Sequence, residues 1–262
     1  MRIQHNIMAM NANRNLTFNN TQLGKNLEKL SSGYRINRAG DDAAGLAISE
    51  KMRADIAVYD QSIRNANDGI SLVQTAEGAM TEIHSMLNRM VTLATQGANG
   101  TYSSTDQDQI ELELAALGEE IARIEKDTKF NGQAIFGSAS SGFSIRVSQN
   151  STIDIDAVDT VGDVSGDAAS FDTAAITAIK THIDTVSSAR ATLGAIQNRL
   201  EHTVNNLGVT MENLQNAEST IRDTNVADEM MKYTKNNILI QSAQAMLAQA
   251  NQVPQGVLQL MQ

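Results

Sequence analysis

Residues 56–73 read IAVYDQSIRNANDGISLV, with apolar side chains at Ile56, Tyr59, Ile63, Ala66, Ile70 and Val73. Alternating steps of three and four average 3.5 residues, the spacing that holds one face of an α-helix against a helical partner along its length. After one phase slip near Ala76 the pattern resumes at Met80, Ile83, Leu87, Met90 and Ala94, as a short insertion that overwinds a coil would make it. No proline interrupts Leu46 to Gln96, so a single helix roughly 75 Å long is expected at about 1.5 Å per residue. A helix of that length needs lengthwise partners.

The neighbouring segments supply them. Ser104-Thr105-Asp106-Gln107 reads as a helix start, with Ser104 as N-cap and Gln107 reaching back three residues later. Ile110, Leu114, Leu117, Ile121 and Ile124 continue that helix. Gly97 to Ser103 is then a helix-to-helix turn, which makes the two helices antiparallel. The period breaks at Phe130-Asn131-Gly132. Phe143, Ile145 and Val147, then Ile153 and Ile155, alternate with polar residues across Ser148–Ser151, the pattern of a hairpin. Asp159 to Asp172 is rich in Asp, Gly, Ser and Ala and has no Lys or Arg, so it is expected as a solvated loop. Helix returns from about Thr173, with Ile176, Ile179, Ile183, Val186, Leu193, Ile196, Leu200, Val204, Leu207, Met211, Leu214 and Ile221 on one seam. The fold class is therefore mainly α: long antiparallel helices in a coiled-coil-like bundle, with a small β-hairpin element at about 130–172.

Composition narrows the function. The 262 residues carry a net charge of −10, which argues against a nucleic-acid partner because phosphates need a basic face. No run of about 20 apolar residues exists to cross a membrane. With no Cys there are no disulfides, thiolate nucleophiles or Cys-ligated metals. The start, Met1-Arg2-Ile3-Gln4-His5-Asn6, lacks the apolar core of a secretory signal. That leaves a cytosolic protein or one exported with its N-terminus intact.

The chain ends are the informative part. Ile3, Ile7 and Met10 form one short stripe, and Leu16, Leu23, Leu27 and Leu30 an offset one. At the other end Leu239, Ala243, Met246, Ala250 and Val253 step four and three. From Asn236 to Gln262 no side chain is charged; the polar residues are Gln, Asn and Ser. A helix facing water normally carries Lys and Glu outside. A frayed uncharged tail is the plain reading. The sharper one is burial among copies of the same chain, where every residue meets the same surroundings in each neighbour. There an unpaired charge is costly, while amides can donate and accept to one another. Such ends, alone, are expected to be largely disordered and to order on assembly.

Leu30-Ser31-Ser32-Gly33-Tyr34-Arg35-Ile36-Asn37-Arg38-Ala39-Gly40-Asp41-Asp42-Ala43-Ala44-Gly45-Leu46-Ala47-Ile48-Ser49, and the run from Asn236-Asn237-Ile238 through Gln244-Ala245-Met246-Leu247-Ala248-Gln249-Ala250-Asn251-Gln252, closely resemble the N- and C-terminal signatures of bacterial flagellins. The resemblance covers roughly residues 1–137 and 187–262. It implies an extracellular, non-enzymatic subunit that polymerises with itself into the flagellar filament for motility. It implies an inner domain of paired terminal helices, 1–34 with 226–262, and an outer helical domain over 35–225; the further domains that the family commonly inserts mid-chain are absent or cut to a hairpin. Export unfolded or part-folded through the flagellar type III apparatus, an export chaperone on the C-terminal segment, a filament cap protein and hook–filament junction proteins follow from the same resemblance. So does recognition by a host Toll-like receptor, for which Arg89, Leu93 and Glu113 match the family pattern while Val91, Thr92 and Leu117 depart from it. Arg35, Arg38, Asp41 and Asp42 sit in the connection between helices, bracketed by Gly33, Gly40 and Gly45, and can pair locally or between subunits.

No catalytic or metal site and no cofactor is expected. Gly40-Asp41-Asp42-Ala43-Ala44-Gly45 has P-loop glycine spacing, but continues Leu46-Ala47 without the Lys-Ser/Thr that phosphate and magnesium require. Asp154, Asp156 and Asp159 lack the Gly and late Glu of a calcium loop. His5, His84, His182 and His202 are isolated, and no nucleophile, base and orienter assemble. Two rivals to a polymer subunit are a junction protein of the same apparatus, present in few copies, and an enzyme on a helical scaffold, for which no zinc-binding helix exists.

Overall fold

A computed structural model of the chain describes residues 6–137, 142–156, 161, 164, 171 and 173–260, with the backbone alone over 253–260. Among them are five long helices, α1 (Ile7–Ser32), α2 (Ala43–Gly97), α3 (Ser104–Asp127), α4 (Thr173–Arg222) and α5 (Val226–Leu260). The strands are β1 (Lys129–Phe130), β2 (Gln133–Ala134), β3 (Phe143–Arg146) and β4 (Thr152–Ile155). The helices fall into two compact units, Met1–Ile56 with Asn213–Gln262 and Ala57–Glu212; α2 and α4 contribute to both.

In the 57–212 unit, α2 packs antiparallel to α3 and to α4. Arg89 donates twice to Glu113 Oε1, at 3.0 and 2.8 Å, and the Gln107 amide donates to the Gly97 carbonyl at 3.0 Å. Arg190 of α4 reaches Glu77 of α2 at 3.5 Å. Val73, Ile83, Leu87 and Met90 of α2, Leu114 and Ile121 of α3, and Ile179 and Leu200 of α4 are fully buried. Each such side chain contributes about 1.5–3 kcal/mol through its burial, so an aliphatic core suffices without aromatics.

The expected phase slip in α2 does not occur. From Ser62 onward one buried seam runs Ser62, Ala66, Gly69, Val73, Ala76, Met80, Ile83, Leu87, Met90, Ala94 and Gly97, in unbroken four-three steps, with Leu72 and Leu93 buried beside it. Ser62 and Gly69 hold places that apolar counting gave to Ile63 and Ile70, which are half-buried at the edge. The cause is close approach: a Cβ on Gly69 would lie 3.1 Å from Ile145 Cγ1 and 3.3 Å from Leu200 Cδ1. Ser62 is tolerated inside because its hydroxyl donates to the Val58 carbonyl at 2.8 Å.

α3 starts one residue earlier than expected. Ser103 is the N-cap, its side chain accepting from Asp106 N while Asp106 accepts from Ser103 N at 3.1 Å. The reciprocal pair is a capping box built with Asp instead of Gln107. The β3–β4 hairpin forms where alternation placed it, with Phe143 opposite Ile155 and Ile145 opposite Ile153. Asn65 of α2 ties it down by donating to the Arg146 carbonyl at 3.0 Å. β1 and β2 form a second hairpin that the periodicity did not reveal. Its turn is Asn131-Gly132, at φ 49° and 80°, and two-residue loops with positive φ at both positions match the twist of paired strands. Most of Asp159–Asp172, expected as a solvated loop, lies outside the described residues. Its described members are not solvated: Val161 and Val164 are 5% and 2% exposed, and Phe171 lies over Gly97.

In the other unit, α1 and α5 run antiparallel and are the helix pair of closest backbone approach. Their inward positions are Ala9, Ala12, Leu16, Asn19, Leu23, Asn26 and Leu30 on α1, and Glu229, Tyr233, Asn236, Ile240, Ala243, Leu247 and Ala250 on α5, all buried or half-buried. Both sets keep strict heptad spacing. The backbone of α5 stays helical through Pro254, which has no N–H to offer the Ala250 carbonyl four residues back. Asn6 fills that gap. Its Nδ2 donates to Ala250 O at 2.7 Å while its Oδ1 caps α1 by accepting from Ala9 N at 3.1 Å.

Candidate functional site

The residues expected to form the self-assembly stripe divide into two groups. Leu16, Leu23, Leu30, Ala243 and Ala250 face the α1–α5 seam within the chain. Ile7, Met10, Leu27, Leu239 and Met246 stay exposed, at 58%, 67%, 49%, 39% and 62%. Ile3 and the Val253 side chain lie outside the described residues. Phe18, missing from the expected set, joins the exposed group at 62%. A groove of about 710 Å³ runs between the two helices, lined by Met8, Phe18, Leu239, Ala243 and Met246 among others. The sequence pattern merged inward and outward positions because neighbouring stripes on one helix share the same period.

The connecting segments are held locally. Arg35 N donates to the Arg222 carbonyl at 2.7 Å and Thr224 N to the Gly33 carbonyl at 2.9 Å. Tyr34 and Asp223 thereby form an antiparallel bridge. The Arg35 guanidinium donates to the Ile221 carbonyl, one of the orphan acceptors at the end of α4. Arg38 pairs with Glu28 at 2.9 Å. The Asp41 carboxylate accepts from the backbone N–H groups of Arg38 and Asn37, at 3.1 and 3.3 Å. Those bonds, Arg38 first, hold its pKa below the usual carboxylate value. Asp42 accepts from Gly45 N at 2.9 Å at the start of α2. All four residues are thus engaged inside the chain. Arg222 was not foreseen: it pairs with Glu50 at 2.7 Å and lies 4.9 Å from the centroid of the Tyr34 ring. No local pattern marks it, since its partners come from two distant segments.

Of the three receptor candidates, Arg89 and Glu113 are half-exposed and occupied with each other. Leu93 is 2% exposed and belongs to the core, so it cannot touch an outside partner directly. The heptad step from Met90 to Ala94 turns it inward beside that seam.

The pattern defines a mainly helical building block: a self-sufficient core of helices and a hairpin in one unit, and in the other a terminal pair whose outer face is apolar. Known proteins specify it further. The bacterial flagellin N-terminal helical region matches residues 3–141 and the bacterial flagellin C-terminal helical region residues 176–261. A flagellin of Halalkalibacterium halodurans is 52% identical, and one of Bacillus subtilis 46%, each alignment covering all of both chains. The crystal structure of Bacillus cereus flagellin superposes with a TM-score of 0.51 at 34% identity, covering 55% of this chain and 88% of that one. A putative flagellar hook-associated protein from Vibrio parahaemolyticus shares the fold, with a TM-score of 0.62 at 15% identity over 70% of this chain and 100% of that one.

The chain belongs to the bacterial flagellin family. It is a structural subunit that polymerises with its own kind into the extracellular flagellar filament for motility, and it is not an enzyme.

Proposed function

We propose that the outward stripe of Ile7, Met10, Phe18, Leu27, Leu239 and Met246 is the contact through which neighbouring copies cover each terminal helix pair. Ile3 and Val253 are assigned to the same contact, Leu16, Leu23, Leu30, Ala243 and Ala250 support it from behind, and 1–34 with 226–262 serve as the inner domain and 35–225 as the outer domain. The observation that carries this is large apolar side chains left exposed on a chain end without one ionised side chain from Asn236 onward. Exposed apolar surface of this kind is stabilised by removal from water, and the absence of charge lets identical surfaces stack without desolvating ions. Because assembly stabilises only the assembled form, the ends can travel unfolded through a type III export route, with a chaperone on the C-terminal segment. They would then order beneath a cap protein at the tip, on a base of hook–filament junction proteins.

Hydrogen exchange tests the stripe. Amides of residues 7–32 and 226–260 are expected to exchange fast in the free chain and slowly in filaments. Equal exchange in both would sink the proposal. Recognition by a Toll-like receptor rests, in this chain, on Arg89 and Glu113. Replacing both with Ala is expected to lower activation of receptor-reporter cells, and an unchanged response removes them from that surface.

A further inference from the structure

Peroxides have few targets in this chain. It has no Cys and no Trp, so the readily oxidised groups are its 12 Met thioethers. The fold sorts those thioethers sharply. In the 57–212 unit Met80 and Met90 are 2% and 0% exposed, and Met86 and Met211 are half-buried. In the terminal unit Met8, Met10 and Met246 are 67%, 67% and 62% exposed. Met8 and Met246 line one groove with Phe18 and Leu239, near the end of the pair where Asn6 donates to the Ala250 carbonyl. Met230 and Met231 are also exposed, but at the other end of α5, among Asp228, Lys232 and Lys235.

We propose that Met8, Met10 and Met246 form an oxidation-sensitive patch that switches off assembly of the free subunit. The inference rests on the outward stripe being the contact between copies. Hydrogen peroxide transfers one oxygen atom to the thioether sulfur. The O–O bond breaks, an S–O bond forms, sulfur gives up two electrons and the peroxide leaves as water. The product is a sulfoxide, a polar group on a side chain that was apolar. In water it is solvated. Under a neighbouring copy it meets Phe18, Leu239 and Ala243, whose side chains have no N–H or O–H to offer, and burying an unpaired polar group is costly. Asn11, Asn15 and Gln249 also border the groove, so some sulfoxide oxygens can find an amide; the added atom still enlarges a side chain in a packed contact. Met80 and Met90 are shut away from the oxidant, so the 57–212 unit keeps its packing while the ends lose their fit. Reversal needs a methionine sulfoxide reductase with thiols of its own, since this chain has none. Two thiols become a disulfide, the thioether returns and the oxygen leaves as water.

Sparing oxidation of the purified full chain tests it. Hydrogen peroxide is added until most chains carry one sulfoxide or none, and the pool is then polymerised partway. Filaments and remaining soluble chain are compared at each Met by peptide mass spectrometry. Sulfoxide at Met8, Met10 and Met246 should be depleted in filaments by about tenfold, while that at Met230 and Met231 divides evenly. Reductase treatment of the soluble fraction should return it to filaments. Met8→Leu with Met10→Leu and Met246→Leu keeps apolar side chains of similar volume and should assemble equally well with and without peroxide. Should that variant not assemble at all, the partition in the native chain decides. The proposal is overturned by even division at the three stripe positions, by equal depletion at Met230 and Met231, or by a Leu variant that stops assembling after peroxide. Peroxide on finished filaments separates this failure from failure of the stripe. Oxidation of Met8, Met10 and Met246 as fast as in the free chain would mean that copies do not cover them, and the stripe itself falls. Protection there, combined with even division, removes only the switch.

Discussion

The 57–212 unit and the terminal pair are built from the same heptad spacing, yet they satisfy it differently. In the former, three helices and a hairpin close over Leu87, Met90, Leu114, Ile121, Ile179 and Leu200, so the apolar stripe is used up within the chain. In the latter, two helices bury one stripe between them and leave Met10, Phe18 and Met246 each more than 60% exposed. Two helices have too few faces to cover two stripes; a third partner must come from elsewhere. The difference teaches that a long helix can be stable for two reasons: a complete set of partners in its own chain, or an incomplete one that polymerisation completes.

Substitutions can break that contrast in graded ways. The largest expected effect is on assembly. Met246→Asp places a charge on the outward stripe, where copies would have to bury it unpaired. Electron microscopy should show no filaments, while the thermal transition of the 57–212 unit stays in place. Normal filaments would show that Met246 faces water in the polymer. Next is Leu114→Ala, which opens a cavity in a core that nothing outside the chain can refill. A loss of about 2–5 kcal/mol is expected in urea titrations, and a loss well below that would mean the core relaxes around the gap. The smallest concerns Asn6. Asn6→Ala removes an N-cap, costing about 1 kcal/mol, and also orphans the Ala250 carbonyl. Faster hydrogen exchange at the start of α1 in filaments is the readout. Adding Pro254→Ala restores a backbone donor to that carbonyl and should recover part of the protection; no recovery would separate Asn6's capping role from its bond to α5.

Much of this was legible before any coordinates. Helix boundaries near Leu46, Gln96 and Thr173 lie within a few residues of those observed, because long periodic stretches without proline admit few other conformations. The β3–β4 hairpin followed from alternation at Phe143–Val147 and Ile153–Ile155. The Asn131-Gly132 hairpin had a signal too, the dipeptide itself, which periodicity does not weigh. The site was only partly legible. Polar residues at inward heptad positions, Asn26, Glu229 and Asn236, stand out only once the inward face is known. Arg222 has no local signature at all.

The sequence by itself determined that the chain is helical nearly throughout, that its helices need partners, and that its C-terminal end must avoid charge, since period, proline placement and ionisation are properties of the residues alone. Tertiary structure decided which of two adjacent stripes turns inward. It put Ser62 and Gly69 in the seam of α2 ahead of Ile63 and Ile70, because the hairpin and α4 approach too closely for a larger side chain at Gly69. It also turned Leu93 into the core and divided the terminal stripe into a half spent within the chain and a half left outside. Hydrophobic period states that a helix has a neighbour; only the distance of closest backbone approach states where that neighbour stands.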